Sequence, residues 1–351
     1  MTTLGLWCVW CLAALVVAAV LARGLIEWTT AHGIIDTPNA RSSHTRTTPR
    51  GGGLAIIAVV ATVAIVIAAL RPEELPRIAG AILPALAIAA VSWLDDVQSL
   101  RNRTRFAVHL GAAIAAAAIL GPVTRLDLGS LGMLRLGWLA WPLTVLWIVG
   151  LTNAFNFMDG SDGIAGITAA AAAAGIAVAA AACAAGPVAV IAAAFAGAAI
   201  GFLTSNWQPA RIFMGDVGSA FCGFMLAVLP LAVRADVVPE IMPVAVLALW
   251  PFIFDTSLTL LRRLWAGENI FQAHRSHLYQ RLIIAGWSHR AVASLYGGLA
   301  AFGATVAVAP LLDPAVRRAA DQVAVATLVV VAALLVALVL LAERRGARVA
   351  A

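Results

Sequence analysis

Five polar segments interrupt an otherwise apolar chain of 351 residues, and their side chains suit phosphate and cation chemistry. Asp95 and Asp96 stand side by side near the end of one apolar run. Two adjacent carboxylates repel one another unless a cation lies close. Hard oxygen donors of this kind suit Mg2+, which is usually held by one or two carboxylates plus substrate phosphates. A solvated acidic helix end facing Arg101, Arg103 and Arg105 would account for the pair equally well.

The segment from Asn153 to Gly163 is more specific, because Asn153, Asn156, Asp159 and Asp162 recur every three residues. On a helix, that spacing predicts neighbouring rows along one side, with Gly160 and Gly163 letting the backbone approach a ligand. In the segment from Asn206 to Ser219, Asp216 sits between Gly215 and Gly218, just before an apolar run. Glycine flanks and a following helix N-terminus suit phosphate and metal binding. The competing reading is a plain helix cap with Asp216 facing the dipole.

His274, Arg275, His277 and Arg281 form a loop of donors suited to phosphates. Zinc fits it poorly, since no cysteine or third suitably spaced histidine accompanies the pair. The first polar loop holds Asp36, Arg41, Ser43, His44, Arg50 and the glycines 51–53, which predict a close approach of backbone to ligand.

The elements that must position these residues are membrane spans. Of the residues, 62% are hydrophobic and 11% charged, with mean hydropathy +0.96, whereas a soluble domain carries about a quarter charged residues. A span needs about 20 apolar residues, and eleven segments qualify: 5–26, 51–70, 78–94, 106–121, 134–151, 163–185, 187–205, 217–233, 241–261, 291–312 and 322–342. The expected fold is therefore an all-α polytopic transmembrane bundle of about 10–11 spans, a single domain over residues 1–351. The first run lacks a basic leading region and reads as a retained span rather than a signal peptide. Cys8, Cys11, Cys183 and Cys222 lie in or beside apolar runs, without metal-ligand spacing, and read as small hydrophobes.

All 23 basic residues are arginine, and 16 of them fall after odd-numbered spans, in the C-terminal tail, or at the end of the first span. The positive-inside rule makes that side cytoplasmic, with the N-terminus outside and the C-terminus inside an inner (plasma) membrane. A sequence pI near 10.1 then speaks for topology, anionic membrane lipids and phosphate substrates, not for nucleic acid. Asp36, Asp95, Asp96, Asp159, Asp162 and Asp216 all fall on that same side. A non-catalytic assembly subunit has no use for such a series. A transporter or flippase would carry its polar residues near the bilayer midplane.

Taken together, these segments resemble the polyprenyl-phosphate N-acetylhexosamine-1-phosphate transferases, from about residue 33 to 290. The resemblance implies transfer of a sugar-1-phosphate from a UDP-sugar to undecaprenyl phosphate, with release of UMP. It implies Mg2+, for which Mn2+ could substitute, on Asp216 and Asn156. It places Asp95 and Asp96 beside the phosphates, Phe213 against the uracil, and His274, Arg275 and His277 on the diphosphate and sugar, with Asp159 a catalytic-site residue that helps shape the nucleotide side. Asn153 and Asp162 would shape the nucleotide site, and a homodimer is compatible with it. The family often uses lysines near its phosphates, and this chain has none. Arg50, Arg103 and Arg105 would stand in for them, although arginine and lysine are not equivalent at such sites. The run His274-Arg-Ser-His277 differs from the His-rich run of the peptidoglycan branch, which favours an O-antigen or capsule type, and Arg41-Ser-Ser-His44 with Pro49-Arg-Gly-Gly-Gly53 resembles enzymes using amino-deoxy sugars.

Overall fold

The computed structural model describes residues 3–38, 46–127, 129, 132–269, 272 and 274–350. Arg41, Ser43 and His44 of the first polar loop lie outside them. The helices are α1 (Thr3–Ala31), α2 (Leu54–Leu70), α3 (Leu75–Gln98), α4 (Asn102–Leu120), α5 (Ala140–Met158) and α6 (Ile164–Ala182). They continue as α7 (Gly186–Asn206), α8 (Gly215–Val228), α9 (Val238–Trp265), α10 (Leu278–Ile284), α11 (His289–Leu312) and α12 (Arg317–Ala350).

Among the described residues, nine helices are long and apolar enough to cross a bilayer, and two shorter apolar ones are Leu54–Leu70 and Gly215–Leu231. The expected 134–151 segment is displaced, because residues 133–135 form a strand and the helix starts only at Ala140, running on to Met158. Two short antiparallel pairs depart from a purely helical fold. One joins β1 (Ile35–Asp36) to β2 (Thr48–Pro49), the other β3 (Arg125–Asp127) to β4 (Met133–Arg135).

Small residues set the helix spacing. In lipid, helices associate by close packing rather than by the hydrophobic effect, so interfaces favour Gly and Ala. A methyl group on Gly197 or Gly201 of α7 would overlap the carbonyl oxygens of Cys11 and Leu15 on α1. Pro251 in α9 has no amide to give the carbonyl one turn back. That carbonyl, Leu247, is where Gly303 of α11 packs against the α9 backbone. The alanine-rich faces of α6 and α7 are buried against each other in the centre of the bundle.

Candidate active site

The chemistry-bearing residues converge at one end of the bundle, where α3 and α5 finish and α4 and α8 begin. Arg105, in the first turns of α4, is the centre of the cluster. Its Nη1 lies 2.7 Å from Asp95 Oδ2, and its Nη2 lies 2.8 Å from Asp216 Oδ2. The same Nη2 donates to Asn156 Oδ1 at 3.1 Å. Asn156 in turn donates through Nδ2 to Asp216 Oδ1 at 3.1 Å and to Ser219 Oγ at 2.8 Å. A cationic fork thus faces oxygens brought from three helices.

Asp96 does something different from its neighbour. It is 4% exposed, and its two oxygens accept the amides of Asp216 at 3.1 Å and Val217 at 3.0 Å. Those are free donors of the first turn of α8, so Asp96 caps that helix from another chain segment. Gly215 has φ +77, and a side chain there would press on the Asp96 carboxylate. Arg50 donates to the Asp96 carbonyl, and its Nη1 stands 3.8 Å from Asp96 Oδ1. Its backbone bridges Phe213 in parallel, with Phe213 N donating to Pro49 O at 2.8 Å. The first loop and the Phe213 segment are therefore one stitched unit.

The row expected from Asn153, Asn156, Asp159 and Asp162 breaks, because α5 ends at Met158. Asn153 and Asn156 remain on the helix, and Asn153 Nδ2 donates back to Val149 O at 2.8 Å. Asp159 is ringed by protein atoms but keeps a partly exposed edge. Burial, and then the charges of Asp216 and Asp96, raise its pKa well above the ordinary carboxylate range. Asp162 turns away to accept the Ala210 amide at 3.1 Å, with His289 Nδ1 3.7 Å distant. The glycines also serve close packing. Gly160 faces the Tyr279 hydroxyl, Gly163 faces Trp207, and Gly51, Gly52 and Gly53 face Trp93, Phe202 and Gly218.

The His274–Arg281 segment packs beside this turn. The rings of His274 and His277 lie 5.0 Å apart, and His277 is 6.4 Å from Phe157. His277 is 5% exposed and its amide donates to Gln280 Oε1 at 3.3 Å at the start of α10, whereas His274 and Arg275 are only half-buried. Arg281 instead pairs with Glu343 of α12 at 2.8 Å. Arg103 is exposed on α4, without an ion pair to a described carboxylate.

The sequence profile of Glycosyl transferase family 4 matches residues 78–234, which span α3 to the end of α8 with their acidic cluster. A probable undecaprenyl-phosphate N-acetylglucosaminyl 1-phosphate transferase of Bacillus subtilis is 31% identical over 263 residues, covering 74% of this chain and 72% of the relative. A decaprenyl-phosphate N-acetylglucosaminephosphotransferase of Mycolicibacterium smegmatis is 32% identical over 336 residues, covering 85% and 81%. The chain belongs to the polyprenyl-phosphate N-acetylhexosamine-1-phosphate transferase family. Membership makes it a membrane-embedded enzyme of the phosphotransferase type. A phospho-N-acetylmuramoyl-pentapeptide-transferase of a Synechococcus species is also 32% identical, over 76% of this chain and 81% of the relative. Family likeness at this level spans more than one sugar.

Among the described residues, no group of three or more His, Cys, Asp or Glu side chains could by itself hold a metal ion. The geometry explains why: Asp96 is spent on capping and Asp95 and Asp216 share Arg105. Mg2+ does not need an all-protein cage, since it keeps waters and substrate phosphates in its shell. Asp216 and Asn156 already aim oxygens at one cationic group, so the donor chemistry fits a hard cation.

Sequence reading passed over Asp255, Tyr279, Tyr296 and His109. Asp255 had a signal, a lone carboxylate inside an apolar span, which is a functional hypothesis by default. His109 lies one turn below Arg105 and is 2% exposed. Its helical spacing from Arg105 was the available clue.

Proposed function

We propose that this transferase moves an N-acetylhexosamine-1-phosphate from a UDP-sugar to undecaprenyl phosphate at the cytoplasmic face of the inner membrane, releasing UMP. The observation that carries the proposal is the meeting of Asp95, Asn156 and Asp216 on one cationic group, Arg105, at one end of the bundle. A transporter would place such groups near the midplane. The Bacillus subtilis and Mycolicibacterium smegmatis relatives favour N-acetylglucosamine as the sugar.

An oxygen of the prenyl phosphate attacks the β-phosphorus of the UDP-sugar, and UMP leaves. Asp216 and Asn156 would hold Mg2+, or Mn2+ in its place. When bound, the metal neutralises charge on the diphosphate oxygens. Arg105 and Arg50 keep the carboxylates from repelling one another and offer cationic donors to phosphate. Asp95 organises Arg105, with Leu100 N holding its other oxygen at 2.6 Å. Phe213, Asn153 and Asp162 shape the nucleotide side, and His274 and Arg275 face the diphosphate and sugar. Arg103, exposed at the rim, suits phosphate attraction.

The test is incubation of purified protein with undecaprenyl phosphate, Mg2+ and a panel of UDP-sugars, with UMP as readout. UMP should appear with an N-acetylhexosamine donor and vanish with chelator. Asp216→Ala should insert normally and lose about 100-fold or more of the rate. Robust UMP release by that variant would sink the metal assignment.

A further inference from the structure

We propose that Asp255 is a positioning residue of the transferase: a carboxyl group buried inside a membrane-spanning helix that sets the His274–His277 loop and the Asp159 turn against each other. The proposal rests on the transferase reading and adds a residue to it.

Asp255 is 0% exposed within α9. Its Oδ1 lies 3.2 Å from His277 Nδ1 and accepts the Leu278 amide at 2.8 Å and the Thr259 hydroxyl at 3.3 Å. Its Oδ2 accepts the Tyr279 amide at 3.1 Å and the Tyr296 hydroxyl at 2.7 Å. Five donors on two oxygens suit a carboxylate, which accepts only. They do not suit an amide, whose NH2 would face donors. Burying a polar group is costly unless its lone pairs are filled, and here they are filled by α9 itself, the start of α10, and α11.

The donors lead outward to the site by two routes. On the first, His277 commits Nδ1 to Asp255, and its ring lies 5.0 Å from His274, tilted by 31°. Fixing one ring nitrogen sets the tautomer and orientation of an imidazole. His274 and Arg275, the half-buried members of the loop, are thereby held in place. On the second route, Tyr279 is fixed through its amide, and its hydroxyl donates to Phe157 O at 3.3 Å. That hydroxyl also stands where a side chain on residue 160 would be, so Gly160 leaves room for it beside Asp159. One carboxylate therefore governs the spacing between the two halves of the site, while the Arg105 cluster makes no contact with it.

The test compares Asp255→Asn, Tyr296→Phe, His277→Ala and the Asp255→Asn/His277→Ala double variant with the parent, each as purified full-length protein. Turnover is expressed per folded molecule, and binding of UDP-N-acetylglucosamine is followed separately by calorimetry. Asp255→Asn should lower kcat/KM for the UDP-sugar by about 10- to 100-fold. The KM for undecaprenyl phosphate should stay within about twofold of the parent, a split that general loosening would not give. The double variant should be no worse than the poorer single one, because both act through the same contact. Tyr296→Phe should give a smaller loss of the same kind, and it keeps the test open should Asp255→Asn not fold. Multiplying losses in the double variant, parental kcat/KM in Tyr296→Phe, or parental kcat/KM in folded Asp255→Asn would each overturn the proposal. If the parent binds no UDP-sugar and releases no UMP, it is the transferase reading that fails.

Discussion

Asp95 and Asp96 are adjacent in sequence yet have separate work, because a helix sends neighbouring side chains in different directions. Asp96 caps α8, and Asp95 meets Arg105. A base role for Asp95, taking a proton from the prenyl phosphate, has little to offer: the second pKa of a phosphate monoester is about 6, so most acceptor is dianionic at pH 7. Asp95→Asn should therefore lose activity across the whole pH range and respond to Mg2+ concentration. Strong recovery at alkaline pH, with unchanged metal dependence, would make Asp95 a base instead. Asp159 allows a stability test. Its folded-state pKa lies above the unfolded value, so the folded chain binds the proton more tightly. Its contribution is then fully present below the unfolded pKa and is lost as pH rises through the folded one. Asp159→Asn should raise the Tm of the detergent-purified protein at pH 8, with the difference shrinking toward pH 4. An equal shift at both values would remove the linkage.

At the scale of elements, the packing of α2 on α8 places Arg50 and Asp216 in the same cluster. Gly53 N donates to Met214 O at 2.9 Å, and a methyl group on Gly53 would overlap Gly218. Gly53→Ala should destabilise the protein by roughly 1–3 kcal/mol, read as a lower Tm, and reduce turnover by moving the two loops apart. An unchanged Tm would show that the helices can slide. The spans were legible in sequence because apolar length alone defines them in a bilayer. The acidic cluster was legible because its residue types have few other uses there. The roles of the glycines were not: a glycine admits backbone close to a ligand or to another helix, and sequence does not say which. The three-residue series failed at Asp162 for a related reason, since periodicity presumes a helix that in fact stops at Met158. Asp255 escaped because, Thr259 apart, its partners lie 22 to 41 residues away, so that only its place inside an apolar span marked it.

Across the whole molecule, alternating helices bring the polar ends of α2, α3, α4, α5, α8 and α9 to one side. The other end is held separately, with Arg317 pairing with Asp127 at 2.6 Å and with Glu240 at 3.7 Å. Cysteine reporters at the exposed positions 99 and 236 and the half-buried position 276 test which end meets the cytoplasm. In a background without native cysteines, Ser99→Cys and Ser276→Cys should resist an impermeant thiol reagent in intact cells, and Asp236→Cys should react. The opposite pattern would reverse the orientation and place UDP-sugar use on the wrong side. The central claim is that phosphorus, not the sugar carbon, is attacked. It is tested most directly with a UDP-N-acetylhexosamine carrying radioactive phosphorus only at the β position, incubated with the protein, Mg2+ and undecaprenyl phosphate. The label should pass into a lipid diphosphate product while the released nucleotide is unlabelled UMP. Labelled UDP, with the sugar on the lipid, would contradict that claim.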